Sequence, residues 1–281
     1  MNRQQCINLC NAIDKSESIQ DCIKAVQSLV NSRYCKGYFK KYARKFLQGL
    51  TTGKPFFAIV SKNGNSKLPF YAFSSLPIYS CPGMGVCVNY CYSLKAWRYP
   101  CALYRQLQNF ILMRFDRDKI VESFQQIKHG SPFRLYVDGD FSSVSDVKFW
   151  FNLLKSRPDV QTYGYSKSWD LIYDCKEFYP NNYNLNISSG GKAQQVTKSE
   201  MLNLSITRGE FIVVPVSKLP RDKQKIRFSL PEYHSEVRTN GKEITGVNGF
   251  SCPGQCGTCA NGSHACGSIK FRGVPIYIGV H

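Results

Sequence analysis

Residues 134–167 read RLYVDGDFSSVSDVKFWFNLLKSRPDVQTYGYSK. The stretch opens on an apolar run that breaks at Asp138-Gly139-Asp140. An apolar-periodic segment follows at 146–156, and a β-rich run, QTYGYSK, closes it at 161–167. Arg157-Pro158 divides the last two, because proline cannot continue a helix. Strand, helix, strand predicts a parallel unit. The alternation extends in both directions. FFAIV at 56–60, YNLNISSGG at 183–191 and FIVVPV at 211–216 read as strands, and 102–113, 169–178 and 198–204 as helices. The expected fold class is α/β, a full or partial β/α barrel over 54–250, with chemistry at the carboxyl ends of its strands. A cysteine-rich C-terminal segment, 251–281, is expected to bind metal and pack on that core.

Residues 1–53 read as a helical extension. Cys6, Leu9, Cys10 and Ile13 recur at helical spacing, as do Ile19, Cys22, Ile23, Val26, Leu29 and Val30. KGYFKKYARKFLQGL at 36–50 predicts a basic third helix, stopped by Gly49 and TTGKP. Its aromatic stripe (Tyr38, Phe39, Tyr42 and Phe46) either docks on the barrel beneath solvated lysines or faces nucleic acid. Cys6, Cys10, Cys22 and Cys35 read as small core residues rather than ligands.

The chain of 281 residues carries 37 Lys+Arg against 19 Asp+Glu, a formal charge of +18. Hydrophobic residues make up 43 %, enough for a packed core, which excludes a disordered basic tail. No run reaches ~18 apolar residues, so no membrane span is expected, and residues 1–14 lack the apolar run of a signal peptide. The charge is regional. Between positions 22 and 115 there is no Asp or Glu, while fourteen residues there are basic. Interleaved aromatics make nucleic acid, DNA favoured, the expected partner. The candidate contacts are Lys36, Lys40, Lys41, Arg44, Lys45, Lys95 and Arg98.

Thirteen cysteines is a high and odd number, which argues against a complete disulfide framework and for metal or redox chemistry. Cys81, Cys87 and Cys91 follow C-x5-C-x3-C in a loop opened by Pro82, Gly83 and Gly85. Three close thiols suit a [4Fe–4S] cluster with one iron free for another ligand, or a site closed by Cys101 or a distant cysteine. Cys252, Cys256, Cys259 and Cys266 follow C-x3-C-x2-C-x6-C, four soft ligands for zinc or iron–sulfur. Three strand ends complete the candidate site. Asp138, Asp140 and Lys167 are the candidate catalytic groups, and Ser188, Gly190, Gly191 and Lys192 the candidate ligand-binding groups. The two aspartates alternatively cap the helix that follows them.

These blocks, in the order KNGNSKLPFYAFSSLPIYSCPGMGVCVNYCYSLKAWRYP, RLYVDGDFSSVSDVKFWFNLLKSRPDVQTYGYSKSWDLI, YNLNISSGGK and the C-terminal cysteines, resemble the phage and plasmid gene-product-88-like family. The resemblance covers about 56–281. It implies a mobile-element protein of a bacterial cytoplasm with a cysteine-bound metal centre. Three cysteines after an early strand, with a Gly-Asp strand end next, also look like a radical-SAM barrel, although C-x5-C-x3-C departs from the C-x3-C-x2-C of that signature. The expected function is an iron–sulfur, nucleic-acid-binding protein acting in replication, its control or DNA processing. The alternatives are a radical-SAM-like enzyme on a nucleic acid or nucleotide, with SAM as cofactor, and a zinc-stabilised binding module without catalysis.

Overall fold

The computed structural model describes residues 1–62, 68–215, 250–252, 256 and 265–280. Helices α1 (Arg3–Asp14), α2 (Ile19–Asn31) and α3 (Gly37–Thr52) lead the chain. Then come β1 (Tyr71–Ala72), α4 (Tyr92–Lys95), α5 (Pro100–Phe115), α6 (Asp118–Gln125), β2 (Phe133–Leu135), α7 (Val144–Lys155) and β3 (Thr162–Ser166). Next are α8 (Trp169–Tyr173), β4 (Tyr183–Ser188), α9 (Lys198–Leu202), β5 (Thr207–Pro215), β6 (Phe250–Ser251) and β7 (Ile276–Val280). No helix among the described residues is long and apolar enough to cross a membrane.

Asn2 and Ser18 start α1 and α2 by accepting from the backbone N–H groups of Gln5 and Asp21, which have no partner within the helix. Cys6, Cys10 and Cys22 are buried on their helices, as the periodicity predicts, whereas Cys35 is buried in the loop between α2 and α3 rather than on a helix face. They share one apolar cluster with Val26, Phe46 and the α5 residues Leu103, Tyr104, Leu107 and Ile111. The α3 stripe divides between core and surface. Phe46 meets Tyr104 at 5.5 Å between ring centroids, while Tyr38 is 72 % exposed. Arg114 of α5 donates to the carbonyls of Ile13, Asp14 and Ser16 at 2.7–3.0 Å, which caps the end of α1.

The strands form one sheet, ordered β1-β2-β3-β4-β5-β7-β6, with each neighbouring pair parallel. It curls without closing, so the architecture is a partial barrel. Phe133, Leu135, Leu185 and Ile187 face outward onto Val147, Trp150, Phe151 and Leu154 of α7. Trp150 is fully buried and donates its Nε1–H to the Tyr136 hydroxyl at 3.0 Å. The alternate positions face inward: Arg134 aligns with Tyr163, Tyr163 with Asn184, and Tyr165 with Asn186. The register of β4 on β5 slips between Leu185 and Asn186, and Arg208 is the extra residue.

Several elements differ from expectation. FFAIV at 56–60 is not a strand. Helix side chains satisfy its backbone instead: Gln108 bonds both N–H and C=O of Phe57, Asn109 donates to Ile59 O, and Ser123 accepts from Val60 N–H. The strand expected over 134–140 stops at Leu135, because Tyr136 turns left-handed at φ 55°. The helix expected over 169–178 is α8 followed by a 3₁₀ turn, Lys176–Phe178. The strand expected at 211–216 starts earlier, at Thr207.

Candidate functional site

The chain leaves β1 along the carboxyl side of β2, with Val137 N–H donating to Phe73 O and Ser75 N–H to Asp138 O. The 81–91 loop then crosses the ends of β3 and β4. Cys87 N–H donates to Gly190 O at 3.0 Å, and Lys192 N–H to Gly83 O at 3.1 Å. The approach is closer than a side chain allows. A Cβ on Gly83 would lie 1.8 Å from Lys167 O, and one on Gly85 would lie 2.5 Å from Gly191 C. The glycines read as loop-openers are thus what seats the cysteine loop on the strand tips.

Asp140, Lys167, Ser188, Gly190, Gly191 and the first cysteine loop therefore come together. Asp140 is buried and accepts from Phe141 N–H at 2.8 Å, Ser166 Oγ–H at 2.7 Å and Lys167 N–H at 2.8 Å. Burial pushes its carboxyl above the usual range, against these hydrogen bonds. Neither aspartate caps α7. Ser143 accepts from Asp146 N–H there. Asp138 instead accepts from Ser93 Oγ–H at 2.5 Å, and its charge acts on Arg105. Lys167 Nζ donates to Ser188 Oγ at 2.8 Å. The Lys192 side chain is exposed.

Cys81, Cys87 and Cys91 are each partly exposed, and Cys101 is exposed at the start of α5. Burial and then the Asp140 charge push the Cys81 thiol up, while Lys167 opposes. Cys256 and Cys266 pack with Phe70, Tyr163 and Tyr165 on the inner face, and Cys252 packs with Cys266 and Phe211. Cys259 lies outside the described residues. Among the described residues, no three Cys, His, Asp or Glu side chains are gathered as a ligand set around one ion. Basic side chains nonetheless stand near three of these thiols. At the loop, Lys167 supplies positive charge beside Cys81. On the inner face, Arg134 acts on Cys256 and Arg208 on Cys266, and neither arginine pairs with a carboxylate among the described residues.

The basic candidates lie on two elements. Lys36, Lys41 and Arg44 are exposed at or on α3, where Lys45 Nζ stands 4.8 Å over the Phe56 ring. Lys95 and Arg98 are exposed just after the cysteine loop, and Arg98 stacks on Tyr99 at 4.9 Å. Lys36, Lys40, Lys41, Arg44, Lys45 and Arg98 form no ion pair among the described residues. In the cysteine loop and just after it, Val86 is 64 % and Tyr92 59 % exposed. Reading for motifs missed Arg134, Tyr165, Asn186 and Arg208. The available signal was the polar residue at every second position of strands whose parallel neighbours predict continuous apolar runs.

No curated protein and no solved structure matches the chain. A family model described as gene product 88 matches residues 42–262. The match begins inside α3, earlier than the resemblance read at 56. It takes in Cys252, Cys256 and Cys259 but stops short of Cys266 and β7. With most of its length inside that match, from the basic helix through the strand tips to the C-terminal cysteines, the chain belongs to the gene product 88 family.

Proposed function

We propose that this protein is an iron–sulfur, nucleic-acid-binding protein acting in replication, its control or DNA processing. One observation carries the reading. The solvent side of the cysteine loop presents Val86 and, just after it, Tyr99 beside exposed Lys95 and Arg98, within a stretch of chain that holds no carboxylate. Cations attract the phosphate backbone, and exposed rings offer stacking platforms to unpaired bases. Cys81, Cys87 and Cys91 are the residues that would hold a cluster, and α3 extends the cationic surface. Bound there, a [4Fe–4S] cluster supplies one-electron redox chemistry and an organising charge. Anaerobically purified protein should be brown and should bind single-stranded DNA with an affinity that falls steeply as salt rises. Binding that ignores salt, or none at low salt, overturns the nucleic-acid part. A colourless protein with stoichiometric zinc overturns the iron–sulfur part.

A radical-SAM-like activity is the second reading. It is favoured by the seating of the cysteine loop on the strand tips, where Lys167, Ser188 and the Gly190-Gly191 turn offer polar groups to a cofactor. Reductive cleavage of SAM by the anaerobic protein, lost in a Cys81/Cys87/Cys91→Ser variant, tests it. Undiminished cleavage in that variant sinks it.

A further inference from the structure

Four aromatic rings run from the core to solvent along α3 and the segment that follows it. Phe57 is held at the root, because Gln108 of α5 bonds both its N–H and its C=O. Tyr42 stacks on Phe57, with ring centroids 6.1 Å apart and an interplanar angle of 17°. Tyr38, one helical turn earlier, stacks on Tyr42 at 6.5 Å and 23°. Phe56 meets Phe57 edge-on at 4.9 Å. Tyr42 and Phe57 pack against the N-terminal apolar cluster. The ends of the row are open: Tyr38 is 72 % and Phe56 43 % exposed. The two anchored rings set the plane of Tyr38, so a flat ligand stacking on it finds the ring already ordered. Cations line the same face. Lys41 and Lys45 follow Tyr38 and Tyr42 by three positions, so each stands beside its ring on the helix surface. Lys45 Nζ lies 4.8 Å from the Phe56 centroid. Lys41 with Lys45, and Lys40 with Arg44, are i,i+4 pairs of like charge, which repel across one turn. The α3 sequence itself holds no Asp or Glu. A polyanion laid on this face relieves that repulsion.

Rings and cations in one row match one kind of ligand. An acidic peptide satisfies the cations and leaves the ring faces unused. A duplex does the same, because its bases are stacked on one another inside the helix. An unpaired strand offers phosphates to the lysines and base faces to the rings together. We propose that Tyr38, backed by Tyr42 and Phe57, is a stacking platform for unpaired bases of a single-stranded nucleic acid whose phosphates lie along Lys41 and Lys45. This contact surface belongs to α3 rather than to the cysteine loop, and it works without a bound cluster. The proposal rests on the reading that the protein binds nucleic acid, and it names the form of the ligand and the side chain that meets its bases.

The test measures binding of the full-length protein to labelled DNA at several salt concentrations. Three ligands are compared: a single strand, the same strand made abasic, and the duplex. Tyr38→Ala should weaken binding to the intact single strand by about five- to a hundredfold, the loss expected for one stacked base. It should leave the salt slope as it is, because no phosphate contact is removed. Tyr38→Phe, which keeps the ring, should bind like wild type. A Lys41/Lys45→Gln double variant should reduce the slope. On the abasic strand and on the duplex, Tyr38→Ala and wild type should bind alike. Undiminished binding of the intact strand by Tyr38→Ala, or an equal loss on the abasic strand, overturns the stacking. An equal loss on the duplex overturns the choice of an unpaired strand. Polyglutamate that displaces the labelled strand as well as unlabelled DNA does overturns the class of partner. Wild-type protein that binds none of the three ligands at low salt overturns the underlying reading instead.

Discussion

Gly83 shows how one missing Cβ positions a site. Its carbonyl accepts from Lys192 N–H, and its α-carbon lies so near Lys167 O that a methyl group has no room. Gly83→Ala should cost about 1–3 kcal/mol, the range of an overpacked contact, measured by chemical denaturation. It should also lower bound iron by lifting the loop. Val86→Ala, on the exposed side of the same loop, should stay within about 0.5 kcal/mol. Asn109 is a second such residue. Fully buried, it donates to Ile59 O and Ser74 O and so satisfies the backbone on both sides of β1. Asn109→Ala leaves two buried carbonyls unpaired and should cost about 1–3 kcal/mol by the same measurement. The glycines of the cysteine loop were legible as turn-formers. What they are pressed against was not, because Lys167 lies 84 positions away in the chain.

Among the elements, α3 separates structural from functional charge. Phe46 is driven into the core, which turns Lys36, Lys41 and Arg44 to solvent. Arg114, counted in the same basic region, is instead spent on the end of α1. Replacing Lys40, Lys41 and Arg44 by Gln keeps helix propensity. It should weaken DNA binding and reduce the salt slope by about 0.9 for each phosphate that is no longer neutralised. An unchanged slope removes α3 from the interface. In the turn from α7 to β3, the Arg157 guanidinium meets both carboxylate oxygens of Asp159 at 2.8 Å and holds that carboxyl well below the usual range. A depressed folded value stabilises the protein above the unfolded carboxylate's range of about 4, and that stability disappears as pH falls through the folded value. Asp159→Asn should therefore flatten the acid limb of a stability–pH curve.

For the molecule as a whole, the N-terminal helices and α5 share a core. Cys10, Cys22 and Val26 pack in one cluster with Tyr104, Leu107 and Ile111. Removing residues 1–35 should expose that face of α5, lower the thermal unfolding temperature and promote association. A truncated protein that melts like the full chain would show the cluster to be dispensable. The half-barrel seats the Cys81–Cys91 loop across its strand tips and packs Cys256 and Cys266 against Tyr163 and Tyr165 of β3. Loop placement and strand register together decide which groups each set meets.

Local signals were enough for the strand–helix–strand unit, the three leading helices and the cysteine groupings, since each depends on periodicity or spacing within a few turns of chain. Distant contacts decided the rest. β2 is only three residues long because Tyr136 turns left-handed after Leu135. The 56–60 segment is no strand because α5 and α6 satisfy its backbone first. Arg208 lies beside Cys266 because a one-residue slip between β4 and β5 adds a position that no pattern in the chain announces. Spacing names the thiols, whereas the charge that surrounds them is a property of packing.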